Sequence, residues 1–154
     1  MTRRYDLIPN LVEAVKGYMK HERETLEAVI AARNTAVSSL DAAKADPANA
    51  EAIRKLGESE GALGGVLSRL FALSEAYPDL KANQNMMQFQ EELASTENKV
   101  AFSRQAFNDS VLSYNNTAEN FPNSVIAGTF SFDLASFLEI DSEEKRDVPD
   151  VSFT

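Results

Sequence analysis

The chain has 154 residues, enough for one domain with a real core, and its 44% apolar and 25% charged residues are ordinary for a globular protein. A formal charge of −9 argues against nucleic acid, which needs a basic face. The absence of cysteine excludes disulfides, thiolate nucleophiles and zinc–sulfur sites.

The first segment runs from about Asp6 to Ala45. Its seam, Ile8, Val12, Val15, Met19, Glu22, Leu26, Val29, Arg33, Ala36 and Leu40, alternates steps of four and three, which is heptad spacing. Asp6 reads as an N-cap with Pro9 in the first turn, where a missing N–H costs nothing. One helix of about 60 Å is predicted.

The second segment runs from about Pro47 to Tyr77 along Ala52, Leu56, Ser59, Leu63, Val66, Leu70 and Leu73. The third runs from about Asn83 to Asn120 along Met86, Gln90, Leu93, Glu97, Val100, Arg104, Phe107, Val111 and Tyr114. Pro47 and Pro78 fall in the junctions and Pro122 ends the third segment, so none of these prolines interrupts a pattern midway. Short turns between long helices predict an all-α, antiparallel up-down-up bundle of three long helices with a short C-terminal element, a three- to four-helix bundle.

After Pro122 the pattern changes. Thr129 to Leu134 alternates like a strand, and Leu134 to Leu138 reads as a helical turn or more. Residues 1–132 read as the bundle with an apolar C-terminal segment and residues 133–154 as an acidic tail. Between Asp133 and Asp150 seven acidic residues face only Lys145 and Arg146. No apolar run approaches the roughly 18–20 residues of a membrane span, and the polar opening Met1–Asp6 does not read as a signal peptide.

The chemistry candidates are few. His21 beside Glu22 cannot chelate, because neighbours on a helix point about 100° apart. Together with the missing cysteine, this predicts no metal site and no cofactor. Gly57, Gly61, Gly64 and Gly65 lack the strand and the Gly-Lys-Ser/Thr of a phosphate loop, and they predict close approach of a neighbouring helix or a local kink. Asn108-Asp109-Ser110 and Asn115-Asn116-Thr117 are chance glycosylation matches on a helix. Asp141 to Asp147 lacks the calcium-loop pattern.

Glu22, Arg33, Glu97 and Arg104 occupy seam positions that a heptad fills with apolar side chains. Reversing the helices near residues 46 and 80 brings Arg33 level with Glu97, with Glu60 nearby, and Glu22 level with Arg69. Interhelical pairs Arg33–Glu97 and Glu22–Arg69 are therefore predicted, as register-fixing contacts and not catalytic ones. No catalytic residue is assigned and no enzyme activity is expected.

The stretch Arg3-Arg4-Tyr5-Asp6-Leu7-Ile8-Pro9-Asn10, with Tyr77-Pro78-Asp79-Leu80-Lys81-Ala82-Asn83, Thr96-Glu97-Asn98-Lys99-Val100, Tyr114-Asn115 and Phe121-Pro122-Asn123, resembles the LemA family. So do Ile126-Ala127-Gly128 and Phe132. The motifs stand in order over nearly the whole chain. The resemblance implies an antiparallel helical bundle tethered by one N-terminal transmembrane helix, which would precede Arg3-Arg4. It implies no enzyme activity. Some relatives take part in building magnetosomes and others are encoded beside membrane peptidases, which hints at membrane organisation.

The expectation is a non-enzymatic interaction or scaffolding domain, membrane-associated in its complete form, with an unidentified protein partner docking on Phe130, Phe132 and Phe137. The rival is a bundle that senses a small molecule or ion at a polar site near Arg33, Glu97 and Arg104.

Overall fold

The structure is a computed structural model and describes residues 1–140. The acidic run from Asp141 onward lies outside the described residues. Within them the protein is all-helical and contains no strand. The helices are α1 (Thr2–Lys16), α2 (Arg23–Ala45), α3 (Ala50–Ser74), α4 (Pro78–Lys81), α5 (Gln84–Glu119) and α6 (Asn123–Thr129).

The first segment is two helices, not one. The chain leaves the helix at Gly17, Met19 drops into the core, and the turn closes through bonds from the Met19 N–H to the Val15 carbonyl and from the Glu22 N–H to the Met19 carbonyl. Asn83, at the far end of the α3–α5 connection, donates to the Tyr18 hydroxyl at 3.0 Å and ties this turn to the neighbouring one. The heptad seam runs straight through the break because Met19 is core on either path. Burying it in a turn folds α1 back along α2, which adds a reversal that a three-helix up-down-up arrangement does not have.

Asp6 is not a cap. Helix α1 already begins at Thr2, and Pro9 lies in its interior on the exposed side. Proline lacks the N–H that would bond to the carbonyl four residues back. Here that carbonyl belongs to Tyr5.

Asn49 caps α3 by accepting from the Ala52 N–H, and Asn83 caps α5 by accepting from the N–H groups of Asn85 and Met86. Helix α5 ends at Glu119, ahead of Pro122, as the proline spacing predicts.

Helix α2 packs along α3, and α1 packs against both α2 and the first half of α5. The main core is drawn from all four long helices, with Ile8, Leu11, Val15, Val29, Leu63 and Leu70 essentially sealed from water. Each such side chain contributes roughly 1.5–3 kcal/mol relative to exposure. Helices α3 and α5 diverge and leave a cleft between them.

Beyond α5 the chain forms the short helix α6, which buries no residue, and turns at Ser131, whose φ of 56° lies in the left-handed region. Residues 132–140 then return along α5 without regular structure, neither the strand over Thr129–Leu134 nor the helical turn over Leu134–Leu138 that their pattern suggests. This returning strap brings Leu138 into a second, smaller core with Ala43, Ile53 and Leu56, flanked by Phe107.

Candidate functional site

The polar centre of the bundle is built on α1. Arg4 and Glu60 are both buried, with side chains 3% and 0% exposed, and Arg4 Nη1 donates to Glu60 Oε2 at 3.0 Å. The other Glu60 oxygen accepts from the Tyr5 hydroxyl. Burial, and then the hydrogen bond to Glu60, push the Tyr5 hydroxyl well above its ordinary range. Arg4 Nη2 also lies 3.8 Å from the exposed Glu97 carboxylate. Arg4 Nε is buried without a hydrogen-bond partner among the described residues.

The predicted Arg33–Glu97 pair does not form. The level is right, but α1 stands between the two residues. Arg33 Nε donates to the Tyr5 carbonyl at 3.0 Å, the very acceptor that Pro9 leaves without its helical N–H. Arg33 therefore completes a helix that proline interrupts, and Glu97 meets Arg4 instead. The Glu22–Arg69 pair does not form either. Glu22 is the residue ahead of α2 and Arg69 is exposed on α3, and the break at Gly17 moves Glu22 off the path the register assumed. Arg104 is half-buried on the wall of the α3–α5 cleft.

That cleft has a volume of about 800 Å³. Gly61, Gly64 and Gly65 line it from α3, and Ala94, Glu97 and Ala101 from α5, with Arg4 and Glu60 at its floor. Its end is closed by the strap. Asn108 donates to the Leu138 carbonyl at 3.1 Å and accepts from the Leu138 N–H at 2.8 Å. Asn115 brackets Ala135 in the same way, at 3.0 and 2.9 Å. The Tyr114 hydroxyl donates to the Asp133 carbonyl at 2.9 Å. Each asparagine amide takes the place of a neighbouring strand. The spacing works because seven helical residues rise about 10.5 Å and three extended residues span about 10 Å.

Gly57 is the position where close approach is real, and its partner is the strap, not a helix. A Cβ there would fall 1.9 Å from the Glu139 carbonyl oxygen. The two asparagines dismissed as glycosylation matches thus hold the strap. The sequence signal is a pair of asparagines one heptad apart on a helix, facing a small-x-x-aliphatic segment.

Phe130 and Phe132 are exposed, with ring centroids 6.5 Å apart, and together with Phe121 (83% exposed), Val125 and Ile126 they make an apolar end around α6. Phe137 is also exposed but lies in the strap, in a recess with Ala50 and Arg54 of α3. His21 is exposed, and no group of three metal-ligating side chains occurs among the described residues. None of the described helices is long and apolar enough to cross a membrane.

A curated relative, Protein LemA of Metamycoplasma hominis, is 25% identical over 146 residues, which is 95% of this chain and 62% of the relative. The chain thus spans a little under two thirds of that relative's length. The family profile described as LemA family matches residues 1–153, and the protein belongs to the LemA family.

Proposed function

We propose that this domain is a non-enzymatic interaction module, tethered to a membrane in its complete form, that engages a protein partner through the apolar end around α6. The observation that supports it most is that α6 buries nothing while Phe121, Val125, Ile126, Phe130 and Phe132 face solvent together. Scattered exposed apolar residues are normal, whereas a contiguous group is the usual mark of a docking surface. No lysine or arginine occurs between Arg104 and Lys145, so this end has no cationic group of its own for an acidic lipid surface. A protein surface is the better match. Tethering rests on the family's N-terminal anchor, and an apolar run of about 20 residues encoded ahead of Arg3 is the feature to seek.

The test is site-specific photocrosslinking in the native membrane, with the photoreactive residue at Phe130 or at Lys99 on the exposed face of α5. The reading requires a discrete protein adduct from position 130 that position 99 does not give and that Phe121→Ser with Phe132→Ser abolishes. The same adduct pattern from both positions would overturn it. A second reading, sensing of a small molecule or ion, has the charged cleft in its favour. Against it, both carboxylate oxygens of Glu60 at the cleft floor are already taken, by Arg4 Nη1 and the Tyr5 hydroxyl.

A further inference from the structure

Helix α5 outruns the bundle. Past Phe107 it continues to Glu119, a rise of about 18 Å. Among the described residues none of its side chains on that stretch joins either core. On this overhang Asp109, Leu112, Asn116 and Glu119 follow one another at steps of three and four, and all are exposed. They share one outward face. The face ends two residues short of Phe121, where the apolar end around α6 begins. Asp133, also exposed, directly follows Phe132.

We infer that the protein partner docks here with a basic amphipathic helix. Its apolar side covers Leu112 and the aromatic rings around α6, and its lysines or arginines meet Asp109, Glu119 and Asp133. This rests on the docking reading above and gives the partner a chemistry.

Charge carries the argument. Asp109, Glu119 and Asp133 make no salt bridge among the described residues. No lysine or arginine lies between Arg104 and Lys145. Arg54, the cation in the recess beside the strap, is already held by Glu51 and Glu58. A partner that dries Leu112 also takes Asp109 and Glu119, which flank it on the same face, out of water. A carboxylate that leaves water unpaired is costly, so a neutral apolar surface is a poor match. A second copy of this chain would set acid against acid across the contact. Cations opposite offset the cost, and they speed the encounter with a chain whose own charge is −9. The helical form follows from geometry. The described residues offer no strand edge to extend, and a stripe at helical spacing is matched by a second helix laid along it.

Asp109→Asn with Glu119→Gln removes two charges from exposed positions, and its thermal unfolding is expected to match that of the native chain. Two assays then read the charge. In the native membrane, the adduct from photoreactive position 130 should fall by roughly tenfold in this variant, and should fall in the native chain when salt is raised to about 0.5 M. In solution, the full chain labelled with nitrogen-15 is titrated with a model helix of leucine and lysine, and with its counterpart carrying glutamate for lysine. The lysine helix should perturb the amides of residues 109–133 first and bind the variant roughly tenfold more weakly. The glutamate helix should not bind.

An adduct that survives the loss of both charges overturns the inference and leaves docking at α6 standing. So does equal binding of the lysine helix to both proteins, or perturbation confined to residues 141–154. An adduct that joins two copies of this chain assigns the end to a second copy. Retention on phosphatidylcholine vesicles that Phe121→Ser with Phe132→Ser abolishes assigns it to lipid. Absence of any specific adduct at position 130 overturns the docking reading together with the inference, an outcome distinct from an adduct that ignores charge.

Discussion

The two halves of the molecule hold together by different means. Near Arg4 the bundle is knit by a buried charged network that joins α1, α2 and α3 and reaches α5 at Glu97. Near Leu138 it is knit by backbone brackets from one helix and a single apolar anchor. A buried charge network is all-or-none, because each member is costly without the others. A clasp of neutral hydrogen bonds can open piecemeal, because each bond contributes about 1 kcal/mol net. The first half should therefore fail globally and the second locally.

The sharpest way to break that contrast is at Arg4. Arg4→Ala leaves Glu60 buried without its cation and is expected to cost about 3–5 kcal/mol in urea unfolding. Arg4→Met combined with Glu60→Leu should recover most of the loss, since an apolar pair replaces both charges. If the double variant is as unstable as the single, the network does more than satisfy itself.

The strap should respond differently. Leu138→Ala removes the only strap side chain in the second core, at an expected cost of about 2–4 kcal/mol at most. Its signature should be early hydrogen exchange at Ala135 and Leu138 with the main core still protected. Gly57→Ala attacks the same contact from the helix side, because its Cβ meets a backbone oxygen that cannot rotate away. Loss of protection throughout the bundle in either variant would erase the distinction between the halves.

What the sequence made legible follows the same division. The seams and the junction prolines are local signals, and a helix start close to Asn83 and the stop ahead of Pro122 follow from them, whereas the start of α3 at Ala50 falls past the expected Pro47 because the Asn49 cap was not read. The break at Gly17 was hidden because Met19 is apolar in the right register whether the chain goes straight or turns. The pairs that depended on the unbroken helix went with it, namely Arg33–Glu97 and Glu22–Arg69, while Asp6 lost its capping role because α1 already begins at Thr2. Arg4 and Tyr5 were invisible for another reason, and Glu60, expected near the Arg33–Glu97 level, pairs with them instead. Arg4 and Tyr5 lie ahead of the assumed helix start, so no periodic argument points at them, and register alone could bring Glu60 to the right level but not to its partners. The strap escaped because its bonds run from side-chain amides to backbone, which hydrophobic periodicity does not register.

Alkaline pH probes the inner half without a mutation. Tyr5 keeps its proton in the fold to higher pH than in the unfolded chain, where tyrosine releases it near pH 10. Its contribution is therefore complete below about pH 10 and is lost as pH rises further, with stability falling by about 1.4 kcal/mol per pH unit from this group. Tyr5→Phe should remove that slope in denaturant titrations at pH 9 to 11. A slope unchanged by the substitution would place its origin elsewhere.

The finest test concerns the bond between Arg33 and the Tyr5 carbonyl. If Arg33 is there because Pro9 cannot donate, the two residues are energetically coupled although they do not touch through their side chains. Arg33→Met in the native background leaves that carbonyl without a donor and is expected to cost about 1–2 kcal/mol. Pro9→Ala restores an N–H four residues along, and its exposed position leaves room for the change. In that background Arg33→Met should cost only a few tenths of a kcal/mol, giving a coupling of about 1 kcal/mol in the double-mutant cycle. Additive effects would mean that the Arg33 bond is incidental, and that the polar residue on the α2 seam has no structural partner in the proline of α1.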